Sequence, residues 1–572
     1  MPGHNEGLFA LSEDERHHGL KLFVLFFGRA AFAAAGADGL SLHQRALKEG
    51  LHYEERVAAN ISDLVFEQVF PNLVRSIADA APDAPLPEVR DAALVVLYRL
   101  LFVLYAEDRA LLPVRDARYA NVGLRVRVRE DIGRRKDANE AFSTTATSYW
   151  NALDDLSRVI DQGDAAFGLP PYNGGLFLES KTPLLSRIRL PNSVMAHAID
   201  VLSFEQTGAG RRYINYRSLS VQQLGSIYER LLEHETVREA DGIVIRPNVF
   251  AHKGSGSYYT PEPLVALILK ETVEPLIEAR LDAFRAEAQR QAKAARNPPP
   301  QDNPFEAEFG KRLRALDPAT AILDLKVCDP AMGSGHFLVS LVDLLSDRAI
   351  AAIAECEDMA PGYASPLVER IAGIRSKILG NAHAQGWAVD PNQLDDRHIV
   401  RRMVLKRCVY GVDKNPMAVE LAKVALWLHT FTVGAPLSFL DHHLRCGDSL
   451  FGCWVDRIDQ KLQAGGGGLF MEDPLKQARK AAAPMQAIEA ASDADISEAE
   501  RSNRLFSDVE AGTAPMTAFL SLLLACDWVE KSAAEAGAIK GWLTGRFGDP
   551  IRIAQGRCAW RAKARTPKRS VP

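Results

Sequence analysis

Cysteine is scarce in this chain: seven among 572 residues, an odd number at scattered spacings. That usage argues against a disulfide framework and for reduced thiols in the cytoplasm. Cys446 and Cys453 lie close together, yet no second Cys or His pair follows to complete a zinc site, so no metal is expected. Long hydrophobic runs are missing too. The longest, Ala92 to Ala106, has Arg99 in its middle and is shorter than the ~20 residues a membrane span needs. It reads as a buried helix. The opening Met1-Pro-Gly-His-Asn-Glu lacks the basic stretch and apolar core of a signal peptide. Charge of one sign is also lacking: the formal net charge is -5 and the pI about 6.3. A nucleic-acid partner would therefore need locally clustered Lys and Arg. What remains is an ordinary soluble composition, 47% hydrophobic and 25% charged, at a length that accommodates roughly two to four domains.

The most informative stretch is Val327-Cys-Asp-Pro-Ala-Met-Gly-Ser-Gly-His-Phe-Leu338. The apolar run Ala321 to Cys328 reads as a strand that breaks at Asp329-Pro330. Gly333, Ser334 and Gly335 follow, then an apolar helical pattern through Phe337, Leu338, Leu341, Leu344 and Leu345. Strand, glycine turn and helix form a nucleotide-binding layout, with backbone able to approach a ligand and a helix N-terminus facing it. The spacing lacks the third glycine of a dinucleotide fingerprint, and no Gly-Lys-Ser/Thr marks a P-loop. The acid at Asp329 would repel a pyrophosphate. It suits a ligand carrying an ammonium group.

Asp-Pro-Ala-Met-Gly-Ser-Gly-His-Phe, residues 329–337, resembles motif I of the amino-methylating DNA methyltransferases. The closest likeness is to N6-adenine enzymes of the large type IIG restriction–modification group. The resemblance implies an α/β fold. A helical N-terminal region would precede an incomplete Rossmann-like sheet, interrupted by helical insertions, that binds S-adenosylmethionine (AdoMet). By that resemblance Asp329, Pro330, Ala331, Gly333, Gly335 and Phe337 bind the cofactor. His252-Lys-Gly-Ser-Gly-Ser-Tyr-Tyr-Thr-Pro-Glu-Pro-Leu-Val265 resembles motif X, with Tyr258, Tyr259, Thr260 and Pro261 at the matching positions. Thr260-Pro261 also fits an N-cap and first helical residue, with a helix from Leu264 to about Ala295.

Downstream, Arg407 to Asp413 reads as a second strand ending in an acid that can accept from two ribose hydroxyls. Gly-Val-Asp-Lys-Asn-Pro-Met-Ala-Val-Glu-Leu-Ala-Lys, residues 411–423, resembles motif II and implies that Asp413 takes this role. Leu444-Arg-Cys-Gly-Asp-Ser-Leu450 resembles motif III and implies that Asp448 accepts from the adenine amine of AdoMet. Three earlier segments, Leu97–Pro113, Pro171–Phe177 and Leu224–Leu232, resemble the group's pre-catalytic region in the same order.

The expected divisions are 1–250, mostly helical; 251–460, the cofactor-binding core; 461–555, a helical insertion broken at Pro484 and Pro515; and 556–572, a basic tail expected to be disordered. An arginine-rich stretch from Asp116 to Lys136 offers phosphate contacts or a solvated, charge-mixed loop. The catalytic motif IV, Asn/Asp-Pro-Pro-Tyr/Phe, does not occur after Asp448. Asn297-Pro-Pro-Pro300 lies on the wrong side of motif I and lacks the aromatic, so it reads as a loop. The chain is therefore expected to be cut short before motif IV, by a frameshift or stop, or to be one subunit of a split enzyme. In either case no catalytic residue can be assigned. No Pro-Asp…Asp/Glu-x-Lys nuclease arrangement is found before residue 250. The resemblance implies duplex DNA as a partner and adenine N6 methylation as the reaction. A separate chain carrying motif IV and the target-recognition domain is the second expected partner.

Overall fold

The structure is a computed structural model that describes residues 13–33, 39–172, 176–177, 182–207, 210–221, 223, 225, 234–239, 242–247, 260–296, 305–450, 480–491, 494, 496–528, 537 and 541. The N-terminal part is built from α1 (Glu13–Phe27), α2 (Leu42–Leu64), α3 (Phe70–Ala80), α4 (Leu86–Asp108), α5 (Ser148–Gln162) and α6 (Asn192–Ser203). Ser41 starts α2 with a capping box, its hydroxyl accepting from the Gln44 amide while Gln44 reaches back to the Ser41 amide. A π-helical turn, Val65–Val69, joins α2 to α3. The 92–106 run is a buried helix, as its pattern predicts, and α4 is buried from Val96 to Glu107. Arg99 is tolerated there because its Nε donates to the Leu176 carbonyl at 3.0 Å.

Several sequence expectations need correction. The region before residue 250 also contains two antiparallel hairpins, β1 (Phe204–Thr207) with β2 (Gly210–Tyr213), and β3 (His234–Glu239) with β4 (Gly242–Pro247). Leu20 to Phe27, a short apolar run that reads from sequence as a strand or a buried helix, is helical but not buried: Phe23 is 60% and Phe27 63% exposed. The predicted helix after Thr260 is two helices, α7 (Glu262–Thr272) and α8 (Glu274–Arg296), and Pro261 rather than Thr260 occupies the N-cap. Proline has no side-chain acceptor, so that start is set by the fixed φ angles of Pro261 and of Pro263 in the first turn. The apolar run from Ala321 is not one strand. Asp317 caps a short helix, Pro318–Ile322, by accepting from the Thr320 amide at 2.7 Å, and extended backbone begins only at Val327.

Three parallel strands form the sheet, in the order β5 (Val327–Asp329), β6 (Val409–Asp413), β7 (Leu444–Cys446). Parallel neighbours need long crossovers. The first runs through α9 (His336–Met359), α10 (Pro366–Gln385) and α11 (Asp396–Cys408). α11 extends to Cys408, so β6 starts two residues later than predicted. The second crossover is α12 (Pro416–His429), which Asn415 caps by accepting from the Met417 amide, with proline at its first position. Beyond β7, α13 (Ala482–Ala490) packs against α11, and α14 (Ile496–Trp528) packs against α13. Pro515 does not break α14. The helix runs on past the one main-chain hydrogen bond that the proline cannot donate, to the Ala511 carbonyl. The segments 173–175, 297–304, 451–479 and 542–572 lie outside the described residues, as do Tyr258 and Tyr259.

The N-terminal helices and the sheet share one hydrophobic core, running from Ile61 to Ala494. Tyr172 and Phe431 meet across it at 4.7 Å between ring centroids, and the Leu437 amide donates to the Tyr172 carbonyl at 2.7 Å. Ala388 and Gly168 form a second main-chain bridge, 2.9 Å long. Among the described residues no helix is long and apolar enough to cross a membrane.

Candidate functional site

The parallel sheet brings three predicted acids to one edge. Asp329 ends β5, Asp413 ends β6, and Asp448 lies two residues past β7. In a parallel α/β sheet this C-terminal edge is where ligands bind. The turn after β5 folds back over β6: the Met332 amide donates to the Val412 carbonyl at 3.0 Å, and the Gly333 amide to Asp413 Oδ2 at 3.0 Å. Asp413 Oδ1 accepts from the Asn415 amide at 2.8 Å. Each carboxylate oxygen thus spends one lone pair on backbone and keeps capacity for a further donor.

Two glycines make this closure possible. Gly335 has φ +85°, a left-handed value, and a Cβ there would stand 3.0 Å from that of Ala422. It is the N-cap of α9, and no side chain caps that helix start. The first amides of α9 therefore point toward the site without a side-chain acceptor of their own, as an anion-accepting helix start does. Gly411 lies inside β6, where a Cβ would come within 2.2 Å of Met332 Sδ. Sequence reading did not single out Gly411, although a glycine within a strand signals close backbone approach.

Electrostatics at the edge favour a cation. Burial, together with the charge of Asp413, holds the Asp329 carboxyl above the usual carboxylate range, while the Ala331 amide, 2.9 Å from Oδ1, pulls the other way. An ammonium group placed beside Asp329 would favour its charged form, offsetting the charge of Asp413 and compensating for the burial. Lys414 Nζ lies 3.5 Å from Asp448 Oδ2, on the rim of the same edge. Pro330 and Ala331 are exposed, as is Thr260, while Phe337 is half-buried at the start of α9. Pro261 stands at the start of α7, and Glu262 Oε2 beside it is 2.9 Å from His336 Nε2. That contact joins the segment resembling motif X to the one resembling motif I. Neither residue was picked out from sequence, since a Glu and a His separated by 74 positions (336 − 262) show no pattern.

The arginine-rich stretch is largely committed to internal contacts. Arg118 pairs with Asp116 at 2.7 Å, Arg127 with Asp155 at 3.3 Å, Arg134 with Asp131 at 2.5 Å and Arg135 with Glu140 at 2.9 Å. Arg129 is buried against Asp108 at 3.0 Å. Cavities of about 550 and 490 Å³ lie among the N-terminal helices, one beside His197 and Asp200, the other beside Arg99 and Asp161. Neither is lined by residues of the sheet edge.

No family model matches the chain. It is 24% identical over 422 residues to a Methanocaldococcus jannaschii protein whose name assigns it, on inference, as a type II restriction enzyme and methyltransferase. The match covers 67% of this chain and 29% of that protein. Among solved structures, the type IIL restriction–modification enzyme MmeI in complex with DNA is similar at a TM-score of 0.36 and 16% identity, over 71% of this chain and 42% of that one. The chain thus spans well under half the length of either relative.

Proposed function

We propose that this chain is the AdoMet-binding portion of a cytoplasmic type IIG-like restriction–modification DNA methyltransferase, acting on adenine N6 in double-stranded DNA. The observation that carries the reading is the convergence of Asp329, Asp413 and Asp448 on one edge of a parallel sheet, with a glycine turn hydrogen-bonded to the middle acid. Similarity to a protein named for both restriction and methylation supports the reaction class.

The residues present fit the cofactor. Asp413 keeps acceptor capacity on both oxygens, as ribose hydroxyls require, and Asp329 stands where an ammonium is favoured. Asp448, exchanging its Lys414 contact, would accept from the adenine amine. AdoMet, when bound, supplies an electrophilic methyl group. The chain's own part is to hold the nucleoside and amino-acid ends in fixed orientation, so that an incoming amine meets the methyl in line. The target amine is a poor nucleophile because its lone pair is delocalised into the ring. It needs hydrogen-bond acceptors and a base flipped from the duplex.

A specific observation favours the second reading, a non-catalytic AdoMet-binding subunit that works with a separate polypeptide carrying those acceptors. Among the described residues β5 is a sheet edge, paired only with β6, and Cys328 on it is exposed. Ahead of the glycine turn in the chain, α7 presents Leu264 and Leu267 to solvent at 51% and 52% exposure. An unpaired strand and an uncovered apolar helix face suit a further strand–helix unit from such a polypeptide. Calorimetry with AdoMet and radiolabelled methyl transfer to mixed-sequence DNA test both readings. Binding without transfer supports an intact cofactor pocket in a catalytically incomplete chain, and transfer restored by adding a separate polypeptide that carries the acceptors selects the second reading. Transfer to adenine by this chain alone overturns the absence of the acceptor set, and absence of binding overturns both readings.

A further inference from the structure

Two helices start on either side of the glycine turn, and one carboxylate bridges their first turns. Glu262 is the first residue of α7 and His336 the first of α9. Glu262 Oε2 lies 2.9 Å from His336 Nε2, and the Ser340 hydroxyl, one turn along α9, stands 3.4 Å from both Glu262 oxygens and 3.3 Å from the His336 carbonyl, its single proton shared among them. The His336 side chain is only 10% exposed whereas that of Glu262 is 56% exposed, so the imidazole is the fixed member and the carboxylate the adjustable one. The hydrophobic contact beneath does not set this register alone, because Val265 and Leu269 are the buried residues of α7 and both are aliphatic. Aliphatic packing tolerates sliding by a fraction of an ångström more readily than a directed polar contact does.

The placement matters because of what lies next in each direction. One residue before Glu262 is Pro261, with Thr260 exposed beyond it. One residue before His336 is Gly335, closing the turn whose Gly333 amide engages Asp413. The contact therefore sets how far Thr260-Pro261 stands from the glycine turn. From this geometry we propose that Glu262 is a positioning residue of the cofactor site, acting through His336 and Ser340 on the side of the pocket that receives the amino-acid end of AdoMet. The proposal rests on the AdoMet reading given above. Glu262 itself touches no reacting atom. It holds two helix starts in the spacing that the ligand's charged end requires.

The test measures binding of two ligands to the full chain and its variants. AdoMet carries both ends; 5′-methylthioadenosine carries the nucleoside without the amino acid. Glu262→Ala is expected to raise the Kd for AdoMet roughly fivefold, the size of one polar side-chain contact, and to leave that for 5′-methylthioadenosine unchanged. Glu262→Gln, which keeps the contact with Ser340, is expected to fall between wild type and Glu262→Ala. His336→Asn should weaken AdoMet to a similar degree, and the double variant Glu262→Ala/His336→Asn should be no weaker than the stronger single effect. Equal loss of both ligands in Glu262→Ala would show a merely structural role and overturn the proposal. Additive effects in the double variant, or unchanged AdoMet affinity in Glu262→Ala with wild type binding normally, would overturn it while leaving the AdoMet reading intact. Wild-type chain that binds neither ligand overturns the reading and the proposal together.

Discussion

Glu107 and Asp413 are both buried carboxylates, 1% and 9% exposed, and each accepts two hydrogen bonds. Glu107 receives the Tyr119 hydroxyl at 2.9 Å and the Leu124 amide at 2.7 Å, both on Oε1. Its surroundings are closed: it joins the end of α4 to the segment 119–129, where Arg129 is buried as well. Burial pushes its pKa up to about 7, against the opposing charge of Arg129. Asp413 receives one amide on each oxygen and stands at a sheet edge flanked by exposed Pro330, Ala331 and Lys414. The same functional group, comparably buried, knots two segments together in one place and in the other keeps acceptor capacity at a sheet edge, where the proposed function makes it a docking point. Burial alone does not mark a site; acceptor capacity left over beside an opening does.

Substitution should separate the two roles. Glu107→Ala leaves the Leu124 amide and Tyr119 hydroxyl buried without their acceptor. That costs on the order of 3 kcal/mol and lowers the melting temperature by roughly 5–10 °C, with AdoMet affinity unchanged in the folded fraction. Asp413→Ala should instead weaken AdoMet about a hundredfold by calorimetry, the size of hydrogen bonds to a charged acceptor. If the Glu107 variant lost cofactor affinity to the same extent, the contrast between knot and docking point would collapse. Asp329→Ala is expected to weaken AdoMet by about tenfold, the size of one partly screened contact with the ligand's ammonium group.

The pH dependence sharpens the contrast further. Glu107 has a folded pKa of about 7 against an ordinary 4.5, so the folded state binds the extra proton between these values. Its contribution to stability is present below about pH 4.5 and is lost as pH rises through 7. His442 and His443 act in the opposite direction. Burial lowers them from 6.5 to about 2 and about 4, so protonation of the unfolded chain draws stability away as pH falls below 6.5. Thermal melts of Glu107→Gln and His443→Phe across pH 4 to 8 should each flatten one limb of the wild-type profile. The smallest effect is expected from Lys414→Ala. Its exposed pair with Asp448 contributes under about 1 kcal/mol, so AdoMet affinity should change less than fivefold.

Local chemistry made the sheet edge readable from sequence. Asp-Pro ended β5, glycines marked the turn, and an acid after an apolar run marked the end of β6, because each needs only its neighbours in the chain. The α4 helix was readable for the same reason, with one arginine inside an apolar run pointing to a buried helix. What escaped depends on distance. The Glu262–His336 contact exists only once α7 and α9 pack together. The need for glycine at 411 comes from Met332, which lies in a turn 79 positions earlier (411 − 332). Hairpins β1–β2 and β3–β4 were missed because Arg211, Arg212, Glu235 and Arg238 interrupt the alternation that marks a half-buried strand. Pro515 was read as a break, since sequence shows the missing donor but not that the turns on either side hold α14 continuous through it.

The shared core from Ile61 to Ala494 has a consequence for how occupancy at the sheet edge is felt elsewhere. With Tyr172 wedged against Phe431 and its carbonyl bound by Leu437, the N-terminal helices cannot open without disturbing the layer that supports β6 and β7. A ligand bound at the sheet edge is expected to slow amide exchange along α4 as well as around Asp413, because it stabilises the folded state by mass action. On that expectation the helices are ballast for the edge, and their exchange protection is a remote readout of its occupancy.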